Sequence, residues 1–152
     1  MSEHRATIRW EYSGSDFVKG RYSREHVWVF DGGITVNASP SPSVVPAPYS
    51  NPANVDPEEA FVAAVASCHM LTYLFVAARA GFAIERYTDD AVGVMTKNEL
   101  GIFWVSKVTL RPNIAYVGSQ SPTPAQVQQL HHQAHDRCYI ANSIKTEVVV
   151  ED

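Results

Sequence analysis

Two cysteines, Cys68 and Cys138, are the side chains in this sequence best suited to covalent chemistry, and their settings differ. Cys68 stands between Ser67 and His69 in a long apolar run, whereas Cys138 closes a polar helical stretch just before Tyr139-Ile140-Ala141-Asn142-Ser143. A thiolate is a strong nucleophile and its sulfur can be oxidised, so either side chain could carry covalent chemistry. Taken alone, each cysteine reads more simply as a small buried apolar residue.

A cysteine inside a helix gains nothing from the helix N-terminal dipole, so a reactive Cys68 needs a nearby cation or hydrogen-bond donors to favour the thiolate. Arg21 and Arg24 are the candidate cations, both within Gly20-Arg21-Tyr22-Ser23-Arg24-Glu25-His26, and both read equally well as solvated strand-end charges. His26 and His69 are further candidates to line the site, with simple packing as the other reading of His69. His131 and His135 are one helical turn apart and could share a face with a metal, beside His132. No third ligand stands near them in sequence, so a solvated helix face is the default and neither metal nor cofactor is assigned.

The elements that must carry these side chains follow from capping signals and periodicity. At Asp56-Pro57-Glu58-Glu59, Asp56 can cap a helix, Pro57 suits its first position, and Glu59 completes a capping box. This predicts a helix to about Ala80, stopped by Gly81, and apolar nearly all round, as in a central buried helix. A second helix is predicted over about 122–137, from Thr123 as cap, Pro124 at the first position, and Val127, Leu130 and Ala134 at helical spacing. Alternation predicts strands over 6–12, with Ile8, Trp10 and Tyr12 on the buried side, then over 22–30 and 34–38 about the turn Asp31-Gly32-Gly33. A polar turn is expected over 13–20. Further strands are expected over 87–97 and 103–112 about Asn98-Glu99-Leu100-Gly101, over 114–117, and over 146–150. The six prolines between Ser39 and Pro57 forbid regular structure and leave a long loop, of a kind that is usually functional. The order implies an α+β fold in one domain over 1–152.

The chain's 152 residues, 45% of them hydrophobic and 18% charged, suit one compact core. A net charge of -4 offers no basic stripe for nucleic acid. The polar N-terminus has no signal-peptide pattern, which predicts a cytoplasmic protein. The apolar stretch 60–78 approaches spanning length, but it holds Ser67, Cys68, His69, Thr72 and Tyr73, so it is expected to be a core helix and not a membrane span.

The stretch from Asp56 through Pro57-Glu58-Glu59 to Ser67-Cys68-His69 resembles the signature of the OsmC/Ohr family. In that family the helix opens with Asn-Pro-Glu-Glu or Asn-Pro-Glu-Gln and carries the peroxidatic cysteine ten residues after the first glutamate, the spacing that joins Glu58 to Cys68 here. The stretch from Ala134 through Arg137-Cys138 to Lys145 resembles the family's second cysteine motif, and the element order matches over essentially the whole chain. The resemblance implies antiparallel sheets around a long central helix, in an intertwined homodimer with two active sites at the subunit interface. It also implies a thiol peroxidase acting on organic hydroperoxides or hydrogen peroxide and reset by a dithiol reductant. By the same resemblance Cys68 is peroxidatic, Cys138 resolving, and Glu58 the carboxylate that orients a catalytic arginine, for which Arg24 is favoured over Arg21.

Ten residues of helix rise about 15 Å, too far for Glu58 to reach the Cys68 sulfur of its own helix. Either Glu58 comes from a partner subunit or the helix is broken between them. The sequence departs from the family pattern at Tyr139, where many members place proline, and at His69, where Ohr members often have phenylalanine. The loop before the helix also lacks the arginine that some OsmC members carry there. Tyr49, Phe61, Phe75 and Tyr139 would suit a bulky organic hydroperoxide, and read equally as core residues. Two other functions compete: a ligand-binding or redox-sensing protein of the same fold without turnover, and a thiol hydrolase using Cys68 and His69 on an ester or thioester.

Overall fold

Local capping and turn signals decide most element boundaries in the computed structural model, which describes residues 1–151. The chain divides into two compact units, Met1–Ala60 and Phe61–Asp152.

In the first unit, β1 (Ala6–Arg9), β4 (His26–Phe30) and β5 (Thr35–Ala38) form an antiparallel sheet in the order β1-β4-β5, and β2 (Gly14–Asp16) pairs with β3 (Arg21–Tyr22). The turn between β4 and β5 closes with Gly33 N–H donating to Phe30 O at 3.0 Å. Three expectations fail here. The first strand is exposed throughout and stops at Arg9, because Trp10 and Tyr12 leave it to join Phe17 and Tyr22 in an aromatic cluster. The expected strand 22–30 is interrupted at Ser23–Glu25, where Arg24 N–H donates to Tyr49 O (3.0 Å) in place of a ladder partner. The expected turn 13–20 contains β2, with Gly14 where a side chain would meet Arg21 O at 2.3 Å.

The proline-rich loop is tied down by its own polar groups. Ser39 Oγ accepts from Asn51 N–H (2.8 Å), and Asn51 and Asn54 both donate to Glu25 Oε1 at 2.8 and 3.1 Å. It leads into α1 (Pro57–Arg79) through the expected capping box: Glu59 N–H donates to Asp56 Oδ1 (2.7 Å), and Asp56 N–H donates to Glu59 Oε2 (3.1 Å). Gly81, at φ 86°, ends the helix.

In the second unit, β7 (Val92–Lys97), β8 (Phe103–Leu110) and β10 (Glu147–Val150) form a sheet ordered β10-β8-β7, with β10 parallel to β8. A separate antiparallel pair joins β6 (Ala83–Asp89) to β9 (Pro112–Val117). The expected strand 87–97 is therefore two strands in two sheets. Asp89 Oδ1 accepts from Arg111 N–H (2.7 Å), so both chains change sheet at the same level, where Pro112 has no N–H to continue a ladder. The second helix, α2 (Pro124–Arg137), starts at the expected Thr123 cap, which forms a capping box with Gln126.

α1 serves two cores. Val65 packs with Val108 and Leu110, while Tyr73, Val76 and Ala77 pack with Leu130 and Ala134 of α2. Length and composition alone would let α1 cross a membrane, yet its polar His69 and Tyr73 are buried within the protein. The expectation of burial all round is corrected, because Leu71 and Phe75 are 60% and 52% exposed on its other side. A Cβ on Gly93 would stand 2.5 Å from Val62 Cγ2, and a β-branched residue in a helix has little rotamer freedom to move away. Gly93→Ala should therefore cost about 1–3 kcal/mol of stability by urea denaturation; an unchanged midpoint would show that β7 can shift.

Candidate active site

Cys68 sits on α1 at the wall of a cavity of about 890 Å³. Ala64, Ser67, Leu71, Thr72 and Phe75 line the α1 side, and Asp136, Arg137, Tyr139, Ile140 and Asn142 line the other. The helix supplies Cys68 and its neighbours one and two turns away, at the i, i+4, i+7 spacing that puts them on one face. Thr72 Oγ1 is turned back onto the Cys68 carbonyl (2.9 Å).

Cys138 is the C-cap of α2, fully buried, at the point where the chain leaves helical geometry. The exit is held by Asn142, whose Nδ2 donates to the carbonyls of Asp136 (3.0 Å) and Cys138 (2.9 Å), groups a helix end otherwise leaves unpaired. Ala141 N–H reaches the Cys138 sulfur at 3.4 Å. The two cysteines are unbridged, and the Cys68 thiol stands near enough to Cys138 to act on its titration. Burial first, then the hydrogen bond to Cys68, push the Cys138 thiol up to about 11, against the opposing pull of the Ala141 and Ile140 N–H groups. Cys138 therefore keeps its proton at neutral pH and can donate it toward the Cys68 sulfur.

His69 does not line this cavity. It is 1% exposed on the opposite side of α1, where its Nε2 meets His131 Nδ1 at 3.0 Å. His132 pairs instead with Asp136 at 3.5 Å, and among the described residues no group of three or more His, Cys, Asp or Glu is placed to hold a metal.

The remaining candidates lie in the first unit. Arg24 is half-buried: its Nη1 donates to the carbonyls of Tyr22 (2.9 Å) and Gly20 (3.2 Å), and its guanidinium lies 4.0 Å from the Tyr22 ring centre and 5.8 Å from that of Tyr49. Arg21 is exposed, opposite Asp16 in the β2–β3 pair. His26 bonds the Arg24 carbonyl through Nδ1 (2.8 Å) and accepts from Trp28 Nε1 at Nε2 (3.0 Å), which fixes the tautomer with its proton on Nδ1. Glu58 stands in the first turn of α1, and that helix runs unbroken to Arg79, which removes the alternative of a break between Glu58 and Cys68.

The cavity also holds residues that the sequence did not single out, among them Arg137, Asp136 and Asn142. Their available signal was adjacency to Cys138.

The sequence profile of the OsmC-like protein family matches residues 50–151, a span that contains both cysteines. The chain belongs to the OsmC-like family. An OsmC-like protein of unknown function from Vibrio cholerae shares 52% identity, with 99% of each chain covered and a TM-score of 0.95. The OsmC fold is also shared with an organic hydroperoxide resistance protein of Bacillus subtilis, at 20% identity, 99% and 97% coverage and a TM-score of 0.67. A third similar structure is an organic hydroperoxide resistance protein OsmC from Legionella pneumophila, at 16% identity, 99% and 95% coverage and a TM-score of 0.72. No curated protein matches the chain at a significant level. The resemblance expected from the two cysteine motifs is thus borne out, as is the α+β class with its OsmC/Ohr architecture.

Proposed function

We propose that this OsmC-like protein is a thiol peroxidase that reduces organic hydroperoxides, with Cys68 as the attacking thiolate and Cys138 as the resolving thiol. The observation that carries the proposal is the pair of neighbouring free thiols beside a large, mainly apolar cavity. In the first step the Cys68 thiolate attacks the distal peroxide oxygen. The O–O bond breaks, an alcohol leaves after taking a proton, and Cys68 becomes a sulfenic acid. In the second step Cys138 attacks the Cys68 sulfur; the S–S bond forms, the S–O bond breaks, and water leaves. A dithiol reductant returns both thiols. Leu71, Phe75 and the aliphatic wall suit an alkyl or aryl hydroperoxide better than hydrogen peroxide.

Arg24 is the guanidinium we assign to the thiolate and peroxide, with Arg21 second, and Glu58 the carboxylate that orients it; His26 holds the Arg24 carbonyl. We assign Glu58 to the site of a second copy, because about 15 Å of helix separates it from Cys68. The uncovered Leu71 and Phe75 give a homodimer an apolar face to bury. The expected setting is the cytoplasm, where a dithiol reductant is at hand.

Mixing reduced protein with cumene hydroperoxide and counting free thiols tests the assignment. Rapid loss of two thiols per chain is expected. Unchanged thiols with saturable hydroperoxide binding would instead identify a binding or sensing protein, for which the cavity is also large enough.

A further inference from the structure

Between α1 and α2 lies a buried layer of rings that the proposed chemistry does not use. His69 and His131 lie edge to edge, with centroids 5.3 Å apart and planes 11° apart, joined Nε2 to Nδ1 at 3.0 Å, and both are at most 5% exposed. The centroid of the Tyr73 ring lies 4.3 Å from that of His131, and its hydroxyl is 2.6 Å from that of Tyr116 on β9. His69 immediately follows Cys68 on α1, and Cys138 ends α2 seven residues, about two turns, after His131. Two imidazoles joined in this way must take complementary roles, one N–H donating and one bare nitrogen accepting, which fixes both ring orientations. Leucine contacts at the same place tolerate sliding of one helix on the other; a buried hydrogen bond has one register, and leaving it unmade costs both groups their desolvation.

We propose that the His69–His131 bond is a clamp that sets the register of α2 on α1 and so holds the Cys138 sulfur in bonding range of Cys68. Both histidines are positioning residues for the resolving step. The proposal rests on the assignment of Cys138 as resolving thiol, and it predicts a division of labour. Attack of Cys68 on the peroxide depends on α2 only through the cavity wall and the group that Cys138 offers the sulfur, and tolerates small shifts, whereas S–S bond formation needs the two sulfurs aligned, and errors near 1 Å in such placement cost orders of magnitude.

The test uses amide replacements. Glutamine places its amide where His69 has Nε2, and asparagine, equally polar, falls short; leucine removes the bond. For each variant, the equilibrium between the Cys68–Cys138 dithiol and oxidised dithiothreitol gives the effective concentration of one thiol at the other, with no peroxide involved. His69→Gln should stay within about threefold of the wild type, while His69→Asn and His69→Leu should fall about tenfold or more. Stopped-flow oxidation by cumene hydroperoxide should show sulfenic acid forming within about threefold of the wild-type rate in all variants and the disulfide phase slowed about tenfold or more in His69→Asn. Equal dithiothreitol equilibria for Gln and Asn variants, both folded by circular dichroism, would overturn the clamp, including when one is less stable than the other. Wild-type thiols inert to hydroperoxide but with a high effective concentration lost in His69→Asn would support the clamp and refute the peroxidase.

Discussion

Replacing Cys68 by serine should lower hydroperoxide turnover by about a thousandfold or more, whereas replacing Cys138 by serine should stop the cycle after one fast event. The asymmetry follows from what each sulfur does. A serine hydroxyl at position 68 is far less acidic than a thiol and a poor nucleophile toward oxygen, so no sulfenic acid forms. At position 138 a serine O–H can still donate a hydrogen bond to the Cys68 sulfur, as the protonated Cys138 thiol does. The first oxidation should therefore proceed within about threefold of the wild-type rate, since the reacting atoms are unchanged. With no second thiol to condense, Cys68 gains one oxygen and, at excess peroxide, two or three. Intact-mass spectrometry after a single equivalent of cumene hydroperoxide reads the difference: a loss of two hydrogens in the wild type, one added oxygen in Cys138→Ser, and no change in Cys68→Ser. A Cys138→Ser protein that turns over with a dithiol reductant as fast as the wild type would show that resolution is external, and Cys138 would lose its role.

The sequence exposes some parts of this site and hides others, for physical reasons. The start of α1 was legible because both halves of its capping box, Asp56 and Glu59, lie three residues apart and bond each other. The Thr123 and Gln126 box at α2 is the same case. The two breaks in expected strands were not legible, because each depends on a distant acceptor: the Tyr49 carbonyl for Arg24 N–H, and the Asp89 carboxylate for Arg111 N–H. Alternation continues through both places whether or not the ladder does. The apolar circumference of α1 signals burial without saying by what, so the exposure of Leu71 and Phe75 in one chain could not be read from it. The approach of Cys68 to Cys138 came from the family resemblance and not from spacing. His131 was grouped with His135 by helical periodicity, whereas its partner is His69, on another helix.

Acidification should destabilise this protein through His69. Burial, followed by the nearby charges of His131 and His135, holds His69 well below its ordinary value of 6.5, at about 4. In the unfolded chain the same imidazole takes its proton near 6.5, so between 6.5 and about 4 the unfolded state binds more protons than the native one. Stability therefore rises with pH across that window: it is fully present above 6.5, falls as the pH drops, and flattens below about 4. The total loss is about 3 kcal/mol, a large share of the stability of a small domain. Asp89 works in the opposite sense, since burial raises its carboxyl above the ordinary value, and protonating it favours the fold. The two are separated by a variant that keeps the His131 bond and cannot titrate. His69→Gln should match the wild type within about 1 kcal/mol above pH 7, then gain on it by about 1.4 kcal/mol for each pH step downward until near pH 4. Urea unfolding at matched ionic strength from pH 7 to pH 4 measures this difference directly. Parallel curves for the two proteins would mean that His69 takes its proton as readily in the folded state as in the unfolded chain, and that the ring pair is not the neutral hydrogen bond its burial requires.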